Sequence, residues 1–126
     1  MGTGLAMKVI NNGLLQGAWA ALVDVVQIAK RSGISLEKTL DILGKGPAVN
    51  PMMKARIPKM LGEDTIVGFN IHGAVKDSGV FVNTAHRLGL EAPTLSIARD
   101  IWNRSLEADR GESDVADLIS LAYDEA

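Results

Sequence analysis

The chain of 126 residues contains no cysteine. This removes a disulfide framework, thiol nucleophiles and thiolate metal ligands together. Clustered Lys and Arg are missing as well, with a formal net charge of -2 and a pI near 5.6. Neutralising phosphates needs such a cluster, so neither nucleic acid nor an anionic membrane surface is an expected partner. The N-terminus lacks the succession of basic, apolar and small-residue regions of a signal peptide, which makes the cytoplasm the expected compartment. No segment alternates apolar and polar residues with period two between turn signals, so no strand is required. The two histidines, His72 and His86, fall on one predicted helix about 21 Å apart along its axis, too far to share a metal, and no metal is expected.

What is present is an ordinary globular composition, 47% hydrophobic and 22% charged, sufficient for one packed domain over residues 1–126. Its dominant feature lies at the start. From Leu5 to Arg31 there is no proline, and between Lys8 and Asp24 there is no ionisable side chain. This predicts one helix of roughly 40 Å. Leu14, Leu15, Ala18, Trp19, Leu22, Val25 and Val26 spread apolar surface around most of it, which predicts burial in a core or an interface. The uncharged run is shorter than the about 20 apolar residues that cross a bilayer, and Asn11, Asn12 and Gln16 interrupt it, so a membrane span is not the reading.

The helix should stop at Arg31-Ser32-Gly33, with a second starting behind the N-cap Ser35 and ending at Gly44-Lys45-Gly46-Pro47. Ile34, Leu36, Leu40, Ile42 and Leu43 supply its apolar contacts. Pro51 and Pro58 limit residues 48–61 to short helical turns, with Met52, Met53 and Met60 as adaptable filler and the Met52, Met53 and Arg56 region as a candidate cleft wall. Ile71, Ala74, Val75, Ser78, Val82, Ala85 and Leu88 then recur at helical spacing up to Gly89, leaving Lys76 off the stripe. Pro93 opens a helix running to about Arg110, with Trp19 and Trp102 as core or interface anchors. The stretch 107–112 is expected to be a solvated helix end, and a last helix should occupy roughly residues 113–123. The fold class is therefore all-α, a multi-helix domain built around one long N-terminal helix.

Lys8 and Asn12 are four apart, so one helical face presents a cation and a carboxamide to the same space, with Asn11 beside them. Lys8 stands at the edge of a desolvated environment. Burial disfavours a charged ammonium, which suits a lysine that must both give and take a proton. The free N–H groups at the start of the helix favour an anion such as a substrate carboxylate, and Gly2 and Gly4 let a ligand or another backbone approach them. Gly2-x-Gly4 is not a dinucleotide fingerprint, because Met7 replaces the third glycine and no strand precedes it.

Gly2-x-Gly4-x-x-x-Lys8-x-x-Asn11-Asn12 resembles the G-x-G-x-x-x-K-x-x-N-N catalytic motif of the β-hydroxyacid dehydrogenases, the family of 3-hydroxyisobutyrate and tartronate semialdehyde reductases, with 6-phosphogluconate dehydrogenase as a relative. Phe69 with Lys76-Asp77 resembles the family's F-x-x-x-x-x-x-K-D segment, and Leu88-Gly89-x-x-x-Pro93 its L-G-x-x-x-P turn. Ser78 departs from the leucine usual there.

The resemblance implies the all-helical C-terminal domain of such an enzyme, with an N-terminal Rossmann domain outside the 126 residues. Lys8 would be the catalytic acid and base, Gly4 and Asn12 would bind substrate, and Phe69 and Lys76 would contact NAD or NADP. The implied partners are a small hydroxy acid, the Rossmann domain and further copies of the chain in a dimer or tetramer. The competing reading is a helical oligomerisation or binding module that keeps the fold alone. Against it stands the joint presence of Lys8, Asn12 and Lys76, which a purely structural domain does not need.

Overall fold

The computed structural model describes residues 2–126, which form seven helices and, among the described residues, no strand. The all-α expectation holds. Helix α1 spans Thr3–Arg31, followed by α2 (Leu36–Lys45), α3 (Pro51–Ala55), α4 (Ile57–Met60), α5 (Ile71–Arg87), α6 (Pro93–Glu107) and α7 (Asp117–Glu125). At 29 residues, α1 is roughly 43 Å long. It ends where glycine permits, with Gly33 at φ +78° and the Ile34 N–H donating back to the Ala29 carbonyl at 3.0 Å. Ser35 caps α2 by accepting from the Lys38 N–H at 3.1 Å, and Asn50 caps α3 by accepting from the Met53 N–H at 2.9 Å.

The chain divides into two compact units, and α1 contributes to both. The first comprises the chain up to Ala20 together with Phe69–Ser113, hence the first part of α1 with α5 and α6. Helices α5 and α6 pack along each other. The turn joining them accounts for the leucine-glycine and proline spacing: Gly89 takes φ +78°, the Leu90 N–H returns to the Ala85 carbonyl at 2.9 Å, and Pro93 fills the first turn of α6. Ile71, Ala74, Ser78, Phe81, Val82, Ala98 and Trp102 are buried here. The structure departs from the sequence stripe twice: its member Leu88 is exposed just past the end of α5, and Phe81, which the stripe omitted, is buried. Gly13 and Gly17 of α1 face Leu95 and Thr94, which an added Cβ would meet at 3.6 and 3.7 Å.

The second unit comprises Ala21–Gly68 and Asp114–Ala126. Val26, Leu40, Met53, Met60 and Ile119 are among its buried apolar side chains, while Ile42 and Met52, expected to pack, are exposed. Helix α7 starts later than the sequence suggested, because Asp114 bends residues 114–116 into a turn. Its Oδ1 accepts from the Ala116 N–H at 2.8 Å, and its own N–H donates to Asp117 Oδ2 at 3.1 Å. Tyr123 donates its hydroxyl to the Ile34 carbonyl at 2.8 Å and carries Lys30 Nζ 4.7 Å above its ring.

The expected burial of α1 is only partly found. By length and composition α1 could cross a membrane, yet Gln16, Trp19, Ala20, Leu22, Val26 and Ala29 face inward, which is the pattern of a core helix. Leu5, Met7, Ile10, Leu14, Val25 and Ile28 are exposed. A 126-residue chain has too few elements to cover every face of a helix this long.

Candidate active site on α1 and α5

Gly4, Lys8 and Asn12 form a ladder on α1, each one turn beyond the last. At about 1.5 Å rise and 100° turn per residue, successive members stand roughly 6 Å apart and drift by about 40°. The structure thus brings the three onto one face. Asn11 Nδ2 donates to Asn12 Oδ1 at 3.2 Å, which leaves the Asn12 amide N–H groups free to face outward. Lys8 is exposed, contrary to the expectation of a desolvated edge, and Asn12 is half-buried. The reason is the same incomplete cover of α1. Gly4 sits in the first turn with nothing within 4 Å of where its Cβ would be, so no backbone of this chain makes the close approach expected there.

Phe69 stands two residues before α5, and Lys76 lies on it. The Phe69 ring packs against Gly73, where an added Cβ would come within 2.8 Å of it, and Lys76 follows three residues later, about 60° around the helix. Both side chains are exposed. Ala74 and Ser78, each two residues from Lys76, point about 160° away from it, so Lys76 lies off the buried stripe as expected. The N-terminus of α5 is closed. Ile71, His72 and Gly73 donate their N–H groups to the Ser113 carbonyl, the Gly111 carbonyl and Asn70 Oδ1 at 2.9, 3.1 and 2.9 Å. No phosphate can claim those donors, so any cofactor contact on α5 falls to the Phe69–Lys76 face. The reading of residues 107–112 as a solvated helix end holds for Glu107, Ala108, Asp109 and Glu112, which are exposed, but not for Gly111. Gly111 is buried against the His72 ring, which would have to move to admit a Cβ.

The five candidates therefore share one compact unit, with Gly4, Lys8 and Asn12 on α1, Lys76 on α5 and Phe69 just before α5. Arg56 is not with them. Its guanidinium is engaged by Asp114 at 2.7 Å in the other unit, where Met53 is buried and Met52 exposed. Trp19 and Trp102 are buried anchors, as the sequence suggested.

Sequence reasoning missed a buried polar cluster. Ser78 Oγ lies 2.6 Å from both Gln16 Oε1 and the Ala74 carbonyl, with one proton to donate between them, Trp102 Nε1 donates to Gln16 Oε1 at 3.2 Å, and Gln16 Nε2 donates to the Ala74 carbonyl at 3.4 Å. The signals were two polar residues in apolar surroundings, Gln16 inside the uncharged run and Ser78 where leucine is usual. Each answers the other across 62 positions of sequence.

Residues 2–122 match the family model described as NAD-binding of NADP-dependent 3-hydroxyisobutyrate dehydrogenase. The chain belongs to the 3-hydroxyisobutyrate dehydrogenase family. A probable 3-hydroxyisobutyrate dehydrogenase-like 1, mitochondrial, from Arabidopsis thaliana is 29% identical over 90% of the chain and 34% of its own length. Glyoxylate/succinic semialdehyde reductase 1 of the same plant is 25% identical, covering 94% of the chain and 41% of itself. Among solved structures, 3-hydroxyisobutyrate dehydrogenase from Salmonella typhimurium superposes with a TM-score of 0.80 at 26% identity, over 92% of this chain and 41% of that one. This member of the family thus spans between a third and about two-fifths of the length of the relatives it matches.

Proposed function

We propose that the chain is the helical catalytic and oligomerisation part of an NAD(P)-dependent oxidoreductase that interconverts a small β-hydroxy acid and its semialdehyde or keto acid. The observation that carries this reading is the ladder of Gly4, Lys8 and Asn12 on α1, in the same compact unit as Phe69 and Lys76. Lys8 Nζ gives a proton to the carbonyl oxygen in reduction and takes the hydroxyl proton in oxidation. The outward amide N–H groups of Asn12 hold a substrate oxygen one turn away, and the first turn of α1 around Gly4 favours the substrate carboxylate. A bound nicotinamide supplies or accepts the hydride. Phe69 offers an apolar ring and Lys76 a cation, a pairing that fits contact with one end of a dinucleotide but not enclosure of it. The reading therefore includes a separate dinucleotide-binding domain, which the partial coverage of the relatives supports.

Lys76 tests the cofactor side. In the enzyme assembled with that domain, Lys76→Ala should weaken NAD(P)H binding or slow hydride transfer roughly five-fold, the equivalent of about 1 kcal/mol. An unchanged NAD(P)H titration together with an unchanged single-turnover rate would remove Lys76 from the site. Assembly is the second element. The exposed apolar residues along α1 support burial against another copy, and two-fold pairing is the commonest arrangement. Light scattering on the 126-residue chain should give at least a dimer, and a monodisperse monomer at micromolar concentration would end the assembly claim.

A further inference from the structure

Gln16 is the next rung of the ladder, one turn beyond Asn12 and about 12 Å along α1 from Lys8. It is buried, as are Ser78 and Trp102. Its amide orientation is fixed by chemistry: Trp102 Nε1 can only donate and the Ala74 carbonyl can only accept, so Oε1 must face the indole and Nε2 the carbonyl. One side chain thereby clamps α1 to both α5 and α6 with directional bonds. The apolar contacts nearby are poorer at this task. Where α1 meets the first turn of α6 it presents Gly13 and Gly17, and apolar burial has little preference of direction.

We propose that Gln16 is a positioning residue that fixes the rotation of α1 against α5 and α6, and so the direction in which Lys8 and Asn12 point. The proposal rests on the reading of Lys8 as the proton-transferring group. A rotation of about 10° on a helix whose side chains reach some 5–6 Å from the axis moves their tips by about 1 Å. A misplacement of that size can cost about 10²-fold in rate. Satisfied buried polar clusters are suited to selecting one arrangement among several similar ones. Here the arrangement selected is the aim of the catalytic face.

The test separates aim from stability. Gln16→Leu strips the acceptor from Trp102, while Ser78 keeps the Ala74 carbonyl at 2.6 Å, and should lower both the thermal midpoint and kcat. The triple variant Gln16→Leu, Ser78→Ala, Trp102→Phe leaves no polar side chain of the cluster unpartnered and should recover most of the thermal midpoint. In the assembled enzyme its kcat should nevertheless stay about ten- to a hundred-fold low, with the KM for NAD(P)H unchanged. Recovery of kcat together with the midpoint would overturn the proposal. Should the triple variant not fold, the absence of native cysteine allows spin labels at Leu14→Cys and Asn83→Cys, exposed positions on α1 and α5. Gln16→Met should broaden or shift their distance distribution, and an unchanged distribution would overturn the proposal. Lys8→Ala in the same assay distinguishes the two failures. Full activity of that variant would sink the reading of Lys8, whereas an inactive Lys8→Ala beside a fully active triple variant would sink the role of Gln16 alone.

Discussion

Lys8→Ala is expected to lower kcat of the assembled enzyme by about 10²–10⁴-fold, the usual loss when a general acid or base is removed, while NAD(P)H affinity barely changes. The split follows from position. Lys8 is on α1 with Gly4 and Asn12, whereas of the residues proposed to meet the cofactor Lys76 is on α5 and Phe69 just before it. Lys8→Arg should be almost as damaging, because a guanidinium keeps the charge but does not release a proton in the working range. That pair of variants separates proton transfer from simple charge attraction. Activity of Lys8→Ala within a few-fold of the parent would reject the assignment, and full activity of Lys8→Arg would reduce Lys8 to an electrostatic anchor. The exposure of Lys8 in the chain adds a further expectation. Whatever excludes water from its amine during the reaction has to come from the proposed dinucleotide-binding domain, from another copy of the chain or from the substrate itself.

The sequence made the helices legible because their punctuation is local. Gly33, Ser35, Gly89 and Pro93 each act within one turn of where they stand, and each caps or opens the helix that its residue type suggests. The candidate ladder was legible for the same reason, since Lys8 and Asn12 are four apart on one helix. Contacts between distant positions were not. Nothing local to Gln16 names Ser78 or Trp102 as partners, and nothing local to Arg56 announces Asp114. The burial of Lys8 was misjudged because an apolar sequence around a residue says that the helix seeks cover, not that this chain can provide it. The start of α7 was misplaced because Asp114, which resembles an early helical residue, spends its side chain on a turn and an ion pair instead.

That ion pair underlies the largest stability effect expected in the second unit. The Asp114 side chain is 3% exposed, with Oδ2 accepting from Arg56 Nη2 at 2.7 Å and from the Gly68 N–H at 2.8 Å, while Oδ1 accepts from the Ala116 N–H. One carboxylate thus fastens α3 and α4 to the loop before α5 and to the start of α7. Lys59, also buried, places Nζ 3.4 Å from Asp117 Oδ1 and ties α4 to α7 a second time. Asp114→Ala leaves the Arg56 guanidinium, 21% exposed, with Asp64 at 3.9 Å as its remaining carboxylate, and deprives two backbone N–H groups of this acceptor. Removing one partner of a buried pair typically costs about 3–5 kcal/mol, which for a chain of this size lowers the thermal midpoint by roughly 10–20 °C. Asp41→Ala, which breaks the exposed i,i+4 pair with Lys45 at 3.0 Å, provides the contrast and should change stability by less than about 0.5 kcal/mol. Urea titrations of both variants followed by circular dichroism decide the matter. A loss below about 1 kcal/mol for Asp114→Ala would mean that Arg56 finds water or Asp64 as readily as Asp114, and that this unit is held by its apolar side chains alone.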